Sequence, residues 1–343
     1  MLPEWHKILI IKLRAIGDVI LTTPVIQNLR QQFPTAQIDF VVEKPALPIL
    51  TNNPHLDHVF LSPSGKERSF ARDWQFIHTL RRQKYDVAID LFGNPRSALI
   101  TLFSGADLRV GFNFRGRKVA YQVRISSRAN HVHEVDFNLD ALRYFSIPLS
   151  AIQPQVFIGD KEIERAKAIF TDLRFGDSAV IAVNPAGSWQ AKRWPMTYFA
   201  KLANLIQQQY PVRFLILWGP GEKEIAESLV QLIGKAAQVH PPTNLGEQAA
   251  LLSFCRLFIG NDSGPMHLAA AVGIPTLGLY GPTNARLQSP YGKYARAIYQ
   301  SAIPCLGCNR LVCPLMDCMN YLQPSDVLAA ISQLGTESRF SLA

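Results

Sequence analysis

The chain has 343 residues, room for two domains of ordinary size rather than one. Hydrophobic residues make up 48% and charged residues 18%, which excludes a disordered chain, and no apolar run reaches the roughly 18 residues of a membrane helix. The net charge of +9 suits a phosphorylated small partner or an anionic membrane, or serves solubility alone. Nucleic acid is not expected, because no zinc-finger, bZIP or RNP pattern is present.

Residues 7–12 (KILIIK) read as a buried strand. Lys12, Arg14 and Asp18 interrupt the apolar N-terminal stretch. An export signal keeps that stretch uncharged, so a cytoplasmic location is expected, with peripheral contact at the inner membrane face open. Leu21, Val25 and Leu29 then share a helical face. Pro24 either kinks that helix or starts it at N1, with Thr23 as N-cap. Strands are predicted at 38–42, 58–61 and 86–91 (DVAIDL), with a helix over 73–83 between the last two. The alternation restarts after residue 160. Helices are predicted at 161–173, 198–209, 222–233, 265–272 and 325–334, and strands at 179–183, 213–218, 257–260 and 275–280. Such alternation predicts parallel, doubly wound sheets. Two domains are expected, 1–158 and 159–343, with the last helix free to pack back on the first. A ligand cleft is expected between them.

Four segments carry chemistry. In residues 258–283 (FIGNDSGPMHLAAAVGIPTLGLYGPT) a strand ends in a tight turn, and a helix opens with Pro265 at about N1. That puts free N–H groups near Ser263, Gly264 and Met266, where unpaired donors and the helix dipole favour a phosphate. His267, in the first turn, offers a hydrogen bond or a proton. The alternative is an ordinary core helix capped by Asp262 or Ser263. Residues 184–195 (NPAGSWQAKRWP) supply a hydroxyl, Ser188, and two cations, Lys192 and Arg193, beside a strand end. They suit a diphosphate, with Lys192 neutralising a departing nucleoside diphosphate, or form a surface loop with solvated cations. Glu222, after Trp218-Gly219-Pro220-Gly221, stands where a carboxylate could accept from ribose hydroxyls, or serves the helix dipole. In residues 12–24 (KLRAIGDVILTTP) the glycine fingerprint of dinucleotide binding is absent. Asp18 follows the strand instead, as a general base on a hydroxyl or as an N-cap.

Together, IGDVILTTP, AGSWQAKRWP, WGPGEKE and GNDSGPMHLAAAVGIPTLGLYGPT resemble glycosyltransferase family 9, the ADP-heptose:lipopolysaccharide heptosyltransferases. YDVAIDLFGNPRSA, followed by residues 109–112, resembles it too, so the likeness runs from about residue 7 to 335. The resemblance implies a GT-B fold of two Rossmann-like domains facing a cleft. It implies inverting transfer of a heptose from an ADP-sugar donor to a phosphorylated, lipid-linked glycan acceptor. It puts Asp18 in the place of the catalytic aspartate, Lys192 in that of the diphosphate-binding lysine and Glu222 in that of the ribose-contacting acid. Asp262, Ser263, Gly264 and His267 fall in the donor-binding loop. Inversion needs a base on the acceptor side and charge stabilisation on the leaving side, which these residue types can supply. No Asp-x-Asp pair exists to hold a divalent ion on a nucleotide sugar, so metal-free chemistry without a cofactor is expected.

Acceptor cations are sought in Arg115, Arg117 and Lys118, within a basic tract that includes Arg109, Arg124 and Arg128, and in Lys66, Arg68 and Arg72. A solvated basic loop explains them equally well. Cys305, Cys308, Cys313 and Cys318 have spacing suited to a zinc knuckle, with ordinary thiols the other reading; Cys255 stands apart in a presumed helix. The rivals to a transferase are an NAD-dependent oxidoreductase, disfavoured by the missing fingerprint, and a nucleotide-sugar-binding protein without catalysis.

Overall fold

Ile8, Leu9, Ile10 and Ile11 are wholly buried. In the computed structural model they form the centre of the first sheet, and residues 3–67, 69–338 and 342 are described. Arg68, one of the candidate acceptor cations, lies outside the described residues. Two compact units divide the chain, Met1–Phe157 and Ile158–Ala343.

The first unit runs β1 (Lys7–Ile11), α1 (Ile16–Ile20), α2 (Thr23–Gln32), β2 (Gln37–Val42), α3 (Leu47–Leu50), β3 (His58–Leu61), α4 (Phe70–Gln83), β4 (Val87–Asp90), α5 (Pro95–Phe103), β5 (Leu108–Phe112), a 3-10 turn (Lys118–Ala120), β6 (Val123–Ile125) and α6 (Glu134–Arg143). Its six strands lie in the order β3-β2-β1-β4-β5-β6, every pair parallel. Pro24 neither kinks a long helix nor stands at N1. The short α1 ends, Thr22 is the N-cap of α2, and Pro24 sits second in it, where its missing N–H costs no helical bond. The helix predicted from residue 73 begins at Phe70, because Ser69 caps it by accepting from Arg72 N at 3.2 Å.

The second unit runs α7 (Asp160–Asp172), β7 (Ala179–Asn184), α8 (Met196–Gln207), β8 (Val212–Ile216), α9 (Lys223–Ile233), β9 (Ala237–Val239), α10 (Leu245–Ser253), β10 (Leu257–Asn261), α11 (Gly264–Ala271), β11 (Thr276–Leu279), α12 (Ala285–Gln288), β12 (Ala295–Ile298), α13 (Asp317–Asn320) and α14 (Pro324–Ser338). The strand order is β12-β11-β10-β7-β8-β9, again all parallel. Numbered within its own unit, this is the same doubly wound order as the first sheet. Each sheet therefore has one point where the chain reverses direction, between β1 and β4 and between β7 and β10. Ligands of open α/β sheets bind at the carboxyl ends of the strands at such a point.

α14 packs on α8 and beside β12, and its buried face, Val327, Ile331 and Leu334, joins the core of the second unit. Cys255 is not helical. It follows α10 by two residues and is buried, which pushes its thiol far up. Among the described residues, no helix is long and apolar enough to cross a membrane.

Candidate active site

At the reversal point of the second sheet, β7 and β10 both end in asparagine, Asn184 and Asn261. Asn261 is wholly buried and fastens the loop after β7 to the sheet. Its Nδ2 donates to Pro185 O at 2.8 Å and to Ala186 O at 3.2 Å, and its Oδ1 accepts from Trp194 N at 3.0 Å. Trp194 is itself buried, and its Nε1 donates to Leu322 O at 2.8 Å. The tryptophan thus packs as a core residue, while the loop between residues 185 and 194 is held at both ends. Asn184 Nδ2 donates to Ser263 Oγ at 2.9 Å. Its buried Oδ1 has no hydrogen-bond partner among the described residues. A buried amide oxygen left unpaired costs free energy that a ligand donor would recover.

The fastened loop delivers Lys192. Its Nζ sits 2.6 Å from Asp262 Oδ2 and 4.3 Å from the centre of the Trp189 ring. The solvated-cation reading fails for this residue, because the pair is only 12% and 6% exposed. Asp262 Oδ2 also accepts from Thr283 Oγ1 at 2.7 Å, and the Tyr280 hydroxyl lies 3.4 Å from Oδ1. Burial, and then the Asp262 charge, push the Tyr280 phenol well up. Arg193 Nε donates to Gly187 O at 2.9 Å and so shapes the loop. Ser188 is exposed on the loop.

Ser263 occupies the N-cap of α11, but its hydroxyl does not cap; it donates to Asn261 O at 3.0 Å. Gly264 is the first helical residue, so Pro265 falls one place later than expected. Met266 N is not free either, because it donates to Ser263 O at 3.2 Å. The helix start therefore offers fewer open donors than the sequence pattern implied, and Lys192 supplies the main positive charge. His267 is buried in the first turn.

Glu222 closes the turn after β8, its Oε2 accepting from Gly219 N at 3.0 Å, with Gly221 in the left-handed region at φ +81°. This turn rests on a residue the sequence did not single out. His240 is 2% exposed and stacks on Trp218, with ring centres 5.4 Å apart. Trp218 N donates to His240 Nε2 at 3.2 Å, and Trp218 Nε1 donates to His240 O at 2.8 Å. Nε2 must then be unprotonated, so Nδ1 carries the hydrogen and donates to Pro241 O. Burial lowers the His240 pKa, which favours this neutral form.

In the first unit, Asp18 is the third residue of α1 rather than its N-cap, and its Oδ2 accepts from Ala15 N at 3.0 Å. Lys12, at the end of β1, donates to Glu134 Oε1 at 2.9 Å, Leu91 O at 3.0 Å and Asn138 Oδ1 at 3.3 Å. Burial opposes its charge, but Glu134, Asp18 and Asp90 outweigh that and hold its pKa above the ordinary value. The basic tract divides. Arg109 donates to Ala120 O and Ala106 O, Arg124 to Lys118 O and Tyr121 O, and Arg128 pairs with Asp140, so all three tie the fold together. Arg117 lies over the Phe114 ring at 5.3 Å, while Arg115 and Lys118 are exposed.

Burial and the three neighbouring thiols of Cys305, Cys308 and Cys313 push the Cys318 thiol up to about 11. Among the described residues, no group of three or more His, Cys, Asp or Glu is arranged to hold a metal ion. Instead, the cysteine segment borders the site. A side chain at Gly281, two residues after β11, would meet Met319 Sδ at 2.6 Å and Cys318 Sγ at 2.7 Å, and both sulfurs would have to shift to admit it.

The family profile of glycosyltransferase family 9 (heptosyltransferase) matches residues 73–318. The chain belongs to glycosyltransferase family 9. Lipopolysaccharide heptosyltransferase 1 of Pseudomonas aeruginosa is 28% identical to it over 319 residues, 90% of this chain and 87% of that protein. The solved glycosyl transferase family 9 structure from Veillonella parvula is similar with a TM-score of 0.85 at 22% identity, over 97% of this chain and 98% of that one. E. coli heptosyltransferase WaaC with ADP-2-deoxy-2-fluoro heptose gives 0.72 at 23% identity, over 95% and 99%. The fold is accordingly GT-B, and the glycosyltransferase assignment replaces the oxidoreductase alternative.

Proposed function

We propose that this glycosyltransferase moves a heptose from ADP-heptose to a lipopolysaccharide inner-core acceptor or a related surface glycan, with inversion and without a metal. The observation that carries the reading is the Lys192–Asp262 pair, held at the reversal point of the second sheet by Asn261, Trp194 and Thr283. The Lys192 ammonium is already fixed where a diphosphate would leave, so little reorganisation is needed when charge develops. Asp18 is the base: it takes the proton of the acceptor hydroxyl, whose oxygen forms the new bond to the anomeric carbon. The bond from that carbon to the diphosphate oxygen breaks, and its electron pair leaves with ADP. Ser263, Gly264 and His267 line the start of α11 on the donor side. Ser188 adds a hydroxyl from the loop, and Glu222 accepts from the ribose. Arg115, Arg117 and Lys118 hold the anionic acceptor. Such an acceptor is lipid-linked, which sets the work at the cytoplasmic face of the inner membrane, with peripheral attachment.

The test offers ADP-heptose, a GDP-sugar and a UDP-sugar with a delipidated core acceptor, and measures nucleotide release by wild type and Asp18→Ala. Release from ADP-heptose alone, lost in the variant, is expected. If wild type neither binds nor turns over any of the three, the reading is wrong.

A further inference from the structure

Large apolar side chains are exposed on three successive helical elements of the first unit, separated by β4 and β5. Phe70 is 86% and Trp74 59% exposed on α4, Leu99 52% and Phe103 43% on α5, and Val119 73% on the 3-10 turn. The two helical pairs are each spaced i, i+4, so each makes one outward stripe. The helices lie side by side. Arg96 Nη2 reaches Asp73 Oδ1 at 3.5 Å near their N-terminal ends, and the Arg81 side chain packs at Gly105, just past the end of α5. The 3-10 turn packs on α5 in turn. Soluble proteins seldom leave neighbouring aromatic stripes uncovered unless a partner covers them.

The charges around the stripes have one sign. Residues 70–83, 95–103 and 118–120 contain Arg72, Arg81, Arg82, Arg96 and Lys118 but a single acid, Asp73, which faces Arg96. Arg72, Arg81, Arg82 and Lys118 are exposed. Apolar and aromatic side chains ringed by cations match the boundary of an anionic bilayer, where the rings enter the headgroup layer and the cations meet lipid phosphates. A second copy of this chain fits poorly, since the same face would set cation against cation.

We infer that the α4–α5 face is a docking surface for an anionic lipid membrane, carried by Phe70, Trp74, Leu99 and Phe103 with Arg81 and Arg82. The inference deepens the reading above, resting on it only for the lipid-linked acceptor. The test is co-sedimentation of the full chain with vesicles of phosphatidylcholine alone or with phosphatidylglycerol added. Binding is expected only with phosphatidylglycerol, and it should weaken about tenfold or more in Phe70→Ser/Trp74→Ser, at unchanged melting temperature, and in Arg81→Glu/Arg82→Glu. Leu232→Ser, at a half-exposed site on α9, should bind as wild type does. Tryptophan emission should shift to the blue on binding, and less so in Trp74→Phe. Nucleotide release with a delipidated acceptor should be the same in all these variants. Loss of release in wild type would sink the proposed function and leave the membrane result readable. The inference is overturned if wild type ignores anionic vesicles, if both double variants bind undiminished, or if the aromatic variant instead breaks a dimer.

Discussion

The two sheets share one strand order, yet their reversal points are built from different chemistry. In the first, Lys12 is buried and fully engaged by Glu134, Asn138 and Leu91 O, so its charge serves the interior. In the second, among the described residues, Lys192 has one carboxylate partner, Asp262, and a buried amide oxygen of Asn184, at the end of β7, has no hydrogen-bond partner. A finished network rigidifies, whereas an unfinished one is a place for a ligand. The same topology thus yields a scaffold with a candidate base, Asp18, in the first unit and a charge site in the second. Fold alone does not say which is which.

The sharpest way to break this comparison is to remove the charge-bearing groups. Lys192→Ala should lower kcat by about 10²–10³ with ADP-heptose, as loss of leaving-group stabilisation does. Asp18→Ala should lower it by about 10²–10⁴. Steady-state kinetics measures both; a change in KM alone for either variant would contradict the assigned roles. Asp262→Ala should come next. It strands a nearly buried ammonium, so unfolding free energy should fall by about 3 kcal/mol in urea titrations and the donor KM should rise. Unchanged stability would mean that the pair is not buried in solution.

Reversing Arg115 and Arg117 to Glu should raise acceptor KM about tenfold while donor KM stays fixed. Arg109→Ala should instead lower stability, since that guanidinium holds Ala120 O and Ala106 O. Equal acceptor KM in the reversed variant would discard the basic loop as an acceptor site. The smallest effect concerns His240. Its folded pKa is below the ordinary 6.5, so the unfolded chain binds the proton more readily. Its contribution to stability is therefore complete above that ordinary value and is lost as the pH falls from it towards the folded value. His240→Gln keeps an acceptor for Trp218 N and should flatten this loss, with donor KM near wild type. His240→Leu should raise donor KM more than it changes kcat. Thermal melts across pH 5 to 8 and donor kinetics separate the two.

Much of the alternation was legible because buried parallel strands are short unbroken apolar runs, as in β1, β7 and β10. Periodicity does not announce β6 and β9, three residues each. Nor does it announce α10, whose buried residues include Gly246, Gln248, Ala249, Ala250, Leu251 and Leu252 and so mark no single face. The candidate donor residues were named by type and order. The supporting roles of Asn184, Asn261, Thr283 and His240 are not legible that way, although a polar residue ending each of two apolar strands is a visible signal.

By itself the sequence determined the family, the doubly wound parallel class and the identity of the charged groups, because these follow from local patterns of residue type. Tertiary structure decided which cations brace the fold locally and which stand at a sheet's reversal point. Arg109 and Lys192 look alike along the chain. They differ because Arg109, in β5, bonds to carbonyls 11 and 3 residues away, whereas Asn261 and Asp262, remote in sequence, reach the loop that carries Lys192, and only folding sets those distances.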